Sequence, residues 1–165
     1  MDQEKSFVDV GPPPRDFYDE TEKTDKHFLP FRGVENDTPA YLPLNPKIKQ
    51  IRYVAVDPGF GDEPISCFLG YVNLRRKRKF SRKLQYQAVS YFWGSIDDTV
   101  EITLRCAKRK VTRNLEALLR AFRLRNTHRI LWIDAICINQ ADAAEKTHQV
   151  GDMSSIYSAA SDVLV

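Results

Sequence analysis

Hydrophobic and polar positions divide the chain into short apolar runs and longer amphipathic stretches. Apolar runs over 51–56 and 65–72 are rich in β-branched and aromatic residues, and the turn signal Asp57-Pro58-Gly59 lies between them. This pattern predicts two strands that pair as an N-terminal β-hairpin. Two further strands are predicted over 84–91 and 99–104, the second from its alternating side chains.

From residue 112 onward, helix and strand patterns alternate. Thr112 is a good N-cap for a helix whose apolar residues share one face: Leu115, Leu118, Leu119 and Phe122. The nearly all-apolar run 129–135 is typical of a strand covered on both faces. Asp142 and Glu145 have the spacing of a capping box, which predicts a second helix, and 162–165 predicts another strand. The order indicates an α/β fold with a parallel-rich, flavodoxin-like sheet flanked by helices.

Proline usage separates an N-terminal arm from the folded part. All nine prolines lie within the first 64 residues, and 1–45 shows no periodic apolar face. Such a segment buries too little surface to offset its ordering entropy. We therefore predict a flexible, Pro-rich arm over 1–45, with Tyr41 and Leu42 among the residues that strap it to a domain over 46–165. Because the chain ends within the last predicted strand, we expect the sheet to be incomplete at its C-terminus.

Composition argues against several functional classes. The formal net charge is only +3, so a nucleic-acid partner is not expected. No run approaches the roughly 18 consecutive apolar residues of a membrane span, so no membrane association is expected. Three widely spaced cysteines indicate neither a disulfide framework nor a metal site, which is typical of a cytoplasmic protein with reduced thiols.

A basic run covers 75–79, and Arg82 and Lys83 follow closely. A solvated loop between two strands is the favoured interpretation, because short basic runs repel themselves and are common in loops. A nuclear-import patch and a site for an anionic partner are the alternatives.

Three segments resemble, in order, the motifs of the heterokaryon incompatibility (HET) domain family of filamentous fungi. Residues 86–94 (YQAVSYFWG) resemble the motif in which a strand ends at Ser-Tyr-x-Trp-Gly, and 111–115 (VTRNL) resemble the start of the first helix. Residues 131–140 (LWIDAICINQ) resemble the third and longest motif. The lead-in stretch 51–67 is similar as well. The resemblance therefore covers about residues 48 to 165 and implies the N-terminal portion of the domain.

The resemblance implies an intracellular interaction or signalling module of non-self recognition, which triggers programmed cell death when unlike hyphae fuse. The family is distantly similar to TIR domains, some of which assemble as scaffolds while others cleave NAD with a glutamate. In that comparison 163–165 corresponds to the strand before the glutamate, which would lie beyond Val165. Two functions stay open: a module that binds a protein partner or itself, and a NAD-cleaving enzyme. An inactive remnant is a third, and no cofactor is expected apart from NAD as a substrate.

The candidate binding residues are those of the family motifs, and no catalytic residue or metal ligand is assigned. They are Ser90, Tyr91, Trp93, Gly94, Asp134, Cys137, Asn139, Gln140, Asp142, Glu145 and Gln149. Asp134 follows a predicted strand at the edge where open α/β sheets bind ligands, although capping the following turn is the favoured role. A structural role at the helix start is likewise favoured for Glu145 over acid–base chemistry.

The remaining motif residues also have a functional and a structural interpretation. The aromatics before Gly94 either pack the sheet edge, which is favoured, or form a stacking surface. Asn139 is expected to satisfy its own loop, and Gln140 is open between that role and a ligand. Cys137 as a nucleophile, with His128 or His148 as its base, is disfavoured against a small buried thiol.

Overall fold

The computed structural model describes residues 41–74, 84–104 and 107–165. Most of the predicted arm, over 1–40, and the basic run over 75–83 lie outside the described residues. The strands are β1 (Gln50–Val56), β2 (Ser66–Asn73), β3 (Gln87–Val89), β4 (Thr99–Leu104), β5 (Ala107–Thr112), β6 (Arg129–Trp132) and β7 (Asp162–Leu164). The helices are α1 (Arg113–Phe122), α2 (Asp134–Cys137) and α3 (Ala143–Ala159), with a 3-10 turn at Pro46–Ile48.

The seven strands form one mixed sheet in the order β5-β4-β2-β1-β6-β3-β7. The predicted hairpin is confirmed, since β1 and β2 pair antiparallel from Gln50↔Asn73 to Val56↔Cys67. The α/β class is confirmed too. The prediction of a parallel-rich sheet holds for β6-β3-β7 and for the β2–β4 pair. It fails around β1, which is antiparallel to both of its neighbours, and at the β4–β5 pair.

The chain reverses its direction across the sheet around β3. After β3 it forms β4 and β5 at the far end of the sheet, returns to β6 beside β3, and then crosses to β7 on the other side of β3. In open α/β sheets, ligands bind outside the carboxyl ends of the parallel strands near such a reversal. The carboxyl ends of β3 and its two parallel neighbours, β6 and β7, are therefore where a site is expected on topology alone.

Two strand predictions were too long and one strand was missed. The run 129–135 leaves the sheet after Trp132, because Ile133 accepts backbone hydrogen bonds from Ile136 and Cys137 at 3.0 and 2.7 Å and starts α2. Short apolar runs do not separate a buried strand from a buried helical turn. The run 84–91 is a strand only over β3. β5 was missed because it is an outer strand whose first four residues are exposed, which removes the apolar alternation.

Both long helices begin at the predicted N-caps. Thr112 Oγ1 accepts from Leu115 N at 3.3 Å, and Asp142 Oδ1 accepts from Glu145 N at 3.0 Å. Two tyrosines then fix α3 to the sheet, since Tyr86 Oη donates to Ile156 O at 2.5 Å and Tyr157 Oη donates to Val89 O at 3.2 Å. Among the described residues, no helix has the length and apolar content needed to cross a bilayer.

Gly70 provides a test of the β1–β2 packing. It lies opposite Tyr53, and an added Cβ would lie 2.1 Å from Tyr53 Cζ. We expect Gly70→Ala to lower the free energy of unfolding by about 1–3 kcal/mol, because the buried Tyr53 ring must move. Urea denaturation followed by tryptophan fluorescence measures the change.

Gly151→Ala is the matched control, because nothing lies within 4 Å of an added Cβ there and the residue is inside α3. It should raise the free energy of unfolding by roughly 0.5–1 kcal/mol. Equal stability of the two variants would contradict this account of the packing.

Candidate functional site

The carboxyl ends of β3 and β6 bring two predicted residues together. The strands pair in parallel, with Ala88 opposite Trp132, so the segments that follow them leave the same edge of the sheet. There Trp93 Nε1 donates to Asp134 Oδ1 at 3.3 Å. Ser90 is exposed and its backbone N–H donates to Leu164 O at 2.8 Å, which continues the β3–β7 pairing.

Asp134 is half-buried and carries a charge in a place where charge is costly. Burial raises the pKa of its carboxyl, and the hydrogen bonds from Ala135 N and Trp93 offset only part of that effect. The Ala135 N–H donates to Oδ1 at 2.7 Å, so the predicted structural role in the following turn is present. Burial and, secondly, the charge of Asp134 raise the pKa values of Tyr91 and Tyr157, which places both phenols in the same electrostatic environment.

Gln140 contacts the backbone of Asp134. Gln140 Nε2 donates to Asp134 O at 3.0 Å, whereas its Oε1 is buried and accepts no hydrogen bond from the described residues. Tyr91 Oη is also buried, close to Thr112. We call Trp93, Asp134 and Gln140 the carboxyl-edge site. It thus contains one unused acceptor, Gln140 Oε1.

The loop after β3 is anchored a second time, on α1. Gly94 has φ +76°, which favours glycine, and an added Cβ would lie 2.7 Å from Asn114 Nδ2. That amide donates to Phe92 O at 3.3 Å. The Phe92 side chain is nevertheless 82% exposed. Asn114 was not a candidate, although it lies in the second motif.

Glu145 does not complete the predicted capping box. Asp142 N donates to Asn139 O at 3.1 Å instead, so the helix start needs no return bond from Glu145. The Glu145 carboxylate accepts from Asn139 N at 2.7 Å and from Arg52 at 2.5 and 3.0 Å. Asn139 Oδ1 accepts from Ala141 N at 3.2 Å, which is the expected loop role. Glu145 therefore links α3 to its preceding loop and to β1 through hydrogen bonds.

Arg52 is the partner of Glu145 that sequence reasoning missed. Its side chain is fully buried in a strand that is otherwise apolar over 51–56, and a buried guanidinium requires a carboxylate. Its second acceptors are backbone carbonyls, Cys137 O at 3.2 Å and Leu42 O at 2.5 Å. Burial lowers the pKa of Arg52, but Glu145 and Tyr71 more than offset this.

Tyr41 and Leu42 contact Arg52 of the Arg52–Glu145 pair, in the way predicted for a strap. The Tyr41 ring lies 4.9 Å from the Arg52 guanidinium carbon, and Tyr41 Oη donates to Ile136 O at 2.9 Å. Leu42 N donates to Tyr71 Oη at 3.2 Å. We call Tyr41 and Leu42 the strap.

Cys137 and Gln149 lie in the interior. Burial raises the pKa of Cys137 to about 12, and its Sγ accepts from Ile133 N at 3.4 Å. The two proposed bases contact other groups, His128 with Asp57 at 3.1 Å and His148 with Asp152 at 3.6 Å. This environment does not favour a thiolate nucleophile. Gln149 is 2% exposed and donates to Gln50 O at 3.4 Å, so it supports α3 rather than the rim. The described ranges contain no group of His, Cys, Asp and Glu arranged to hold a metal ion.

A comparison with known protein families matches the second half of the chain. Residues 86–165 match the family described as heterokaryon incompatibility protein (HET). The chain is also 39% identical over 93 residues to heterokaryon incompatibility protein 6, OR allele, of Neurospora crassa. That alignment covers 48% of this chain and 14% of the relative, so the chain spans a small part of the relative's length. No solved structure matches the chain.

Asp134→Asn tests whether the carboxylate serves the fold. Because the folded-state pKa is raised above 3.8, the folded chain binds this proton more tightly than the unfolded chain, and stability falls as pH rises above 3.8. The asparagine variant keeps an acceptor for Trp93 without the charge. We expect it to be at least as stable as the wild type at pH 7, with the difference shrinking as pH falls toward 3.8.

Urea denaturation of both proteins at pH 7 and at acidic pH measures this difference. A loss of stability in Asp134→Asn at pH 7 would show that the charge itself stabilises the fold, against this account.

Proposed function

Since residues 86–165 match the heterokaryon incompatibility (HET) family, we propose that this chain is an intracellular interaction module of heterokaryon incompatibility. In this proposal it binds a protein partner, or a second copy, and relays a signal that ends in programmed cell death. The relative's name supports the biological setting, and the rest is argued from the carboxyl edge.

The observation that carries the proposal is a fixed loop that presents an exposed aromatic side chain. Trp93 is tied to Asp134, and Phe92 O is tied to Asn114, yet the Phe92 side chain stays 82% exposed. Ile96 follows in the same loop at 74% exposed. Rigid aromatic side chains are favoured at binding hot spots, because little conformational entropy is lost when they are buried by a partner.

The electrostatics of Asp134 also support a function for the carboxyl-edge site. Its raised pKa means that the ionised carboxylate opposes folding at neutral pH. Asp134 accepts hydrogen bonds from Ala135 N and Trp93, but these offset only part of the cost of burying its charge, and residues that cost stability are expected at functional sites. A partner donating hydrogen bonds to this carboxylate would recover that cost on binding.

A cytoplasmic location is part of the proposal. Cys67 and Cys137 are free and buried, which suits a reducing compartment. The proposed compartment is testable by imaging a fluorescent fusion in hyphae.

NAD cleavage is the second candidate, and it has one observation of its own. The unpartnered Gln140 Oε1 lies with Asp134 after the ends of β3 and β6, where open α/β sheets receive nucleotides. The order β6-β3-β7 also suits the TIR-like, flavodoxin-like arrangement of the proposal. Under that similarity the catalytic glutamate follows 163–165, so NAD consumption by a form that extends past Val165 is the test of this candidate.

Phe92→Ala tests the interaction proposal in a fungal cell. Induced expression of the wild-type chain in Neurospora crassa is expected to cause an incompatibility reaction, scored as growth arrest and vital-dye uptake. Phe92→Ala should reduce dye uptake about tenfold, as expected if a hot spot worth roughly 1–2 kcal/mol is removed.

Phe60→Ala is the matched control, because Phe60 is also exposed, at 59%, and lies outside the carboxyl-edge site. It should act like the wild type. Full activity of Phe92→Ala, or equal loss in both variants, would exclude the Phe92 surface as the partner site. NAD measured in extracts that express a form extended past Val165 separates the second candidate.

A further inference from the structure

We infer that the strap, Tyr41 and Leu42, controls the carboxyl-edge site through the buried Arg52–Glu145 pair. The inference concerns regulation of the site in the proposed function and rests on that function for its biological meaning. Its physical content, a coupling between two parts of the chain, does not depend on any partner.

The first link joins the strap to Arg52. Leu42 O accepts from Arg52 Nη2 at 2.5 Å, and the Tyr41 ring covers the guanidinium at 4.9 Å. With both in place the Arg52 side chain is fully buried. If the strap leaves, the guanidinium loses one acceptor and one apolar cover, and water takes their place.

The second link joins Arg52 to the loop before α3. Glu145 Oε1 accepts from Arg52 Nη1 at 2.5 Å and from Asn139 N at 2.7 Å. The same oxygen therefore serves both groups, and its position is set by the arginine. Hydration of Arg52 weakens the pair, since charge attraction falls as the local dielectric rises. Asn139 N then loses a fixed acceptor.

The third link joins that loop to the site. Gln140 is the residue after Asn139, and its amide donates to Asp134 O at 3.0 Å. Asp134 in turn accepts from Trp93. Tyr41 Oη adds a direct route, because it donates to Ile136 O at 2.9 Å, inside α2. A seated strap thus holds the loop and α2 in the arrangement that fixes Trp93, and a released strap loosens them.

This arrangement gives the strap a means of control over the carboxyl-edge site. The device needs two states of the strap, seated and released, whose populations set the order of the carboxyl-edge site.

Hydrogen–deuterium exchange of the full chain tests the coupling without a partner. Tyr41→Ala should raise the exchange rates of backbone amides over 134–140 by about tenfold or more, while amides of α1 keep wild-type rates. Tyr41→Phe retains the ring over Arg52 and loses the hydroxyl's hydrogen bonds with Ile136 O and Arg109, so a smaller increase is expected.

Phe60→Ala is again the matched control, since it removes an aromatic ring that lies 4.0 Å from another arginine, Arg125. It should leave 134–140 unchanged. Wild-type exchange over 134–140 in Tyr41→Ala would overturn the inference, and so would an equal increase in every element. Because this readout needs no signalling activity, it can succeed or fail independently of the Phe92 test in cells.

Discussion

The Arg52–Glu145 pair is the interaction on which the rest of the described structure depends. A fully buried guanidinium costs several kcal/mol unless a carboxylate and further acceptors satisfy it. Here the acceptors come from the strap, from α2 and from the start of α3. One side chain in β1 therefore fixes three segments that are distant in sequence. Replacement of the whole pair by apolar residues can preserve stability, but those three segments would no longer be hydrogen-bonded to one shared side chain.

This internal tie separates supporting residues from residues available to a partner. Glu145, Asn139 and Cys137 belong to the support, because their polar groups face other parts of the chain. Phe92 and the Asp134 carboxylate are the groups that the fold presents without satisfying fully. In the proposed function, most residues of the motif hold in place the few that would contact a partner.

The sequence predicted local structure well where one pattern decided it. The β1–β2 hairpin and the capped helices α1 and α3 follow from turn signals and apolar spacing. β5 and the turn into α2 did not, because an exposed outer strand lacks alternation and a short apolar run is ambiguous. Contacts between distant residues were the least predictable. Trp93 and Asp134 were both candidates, but their contact depends on the β3–β6 register, and Arg52 meets Glu145 across 93 positions.

A double-mutant cycle between Arg52→Met and Glu145→Met tests this central role most directly, with urea denaturation as the measurement. Each single variant is predicted to lose about 3 kcal/mol, because it leaves one buried charge without its partner. The double variant should lose at least about 2 kcal/mol less than the sum, since no charge is then left unpaired. Losses that add to within about 0.5 kcal/mol would contradict the account, because they would mean that the two side chains stabilise the fold independently.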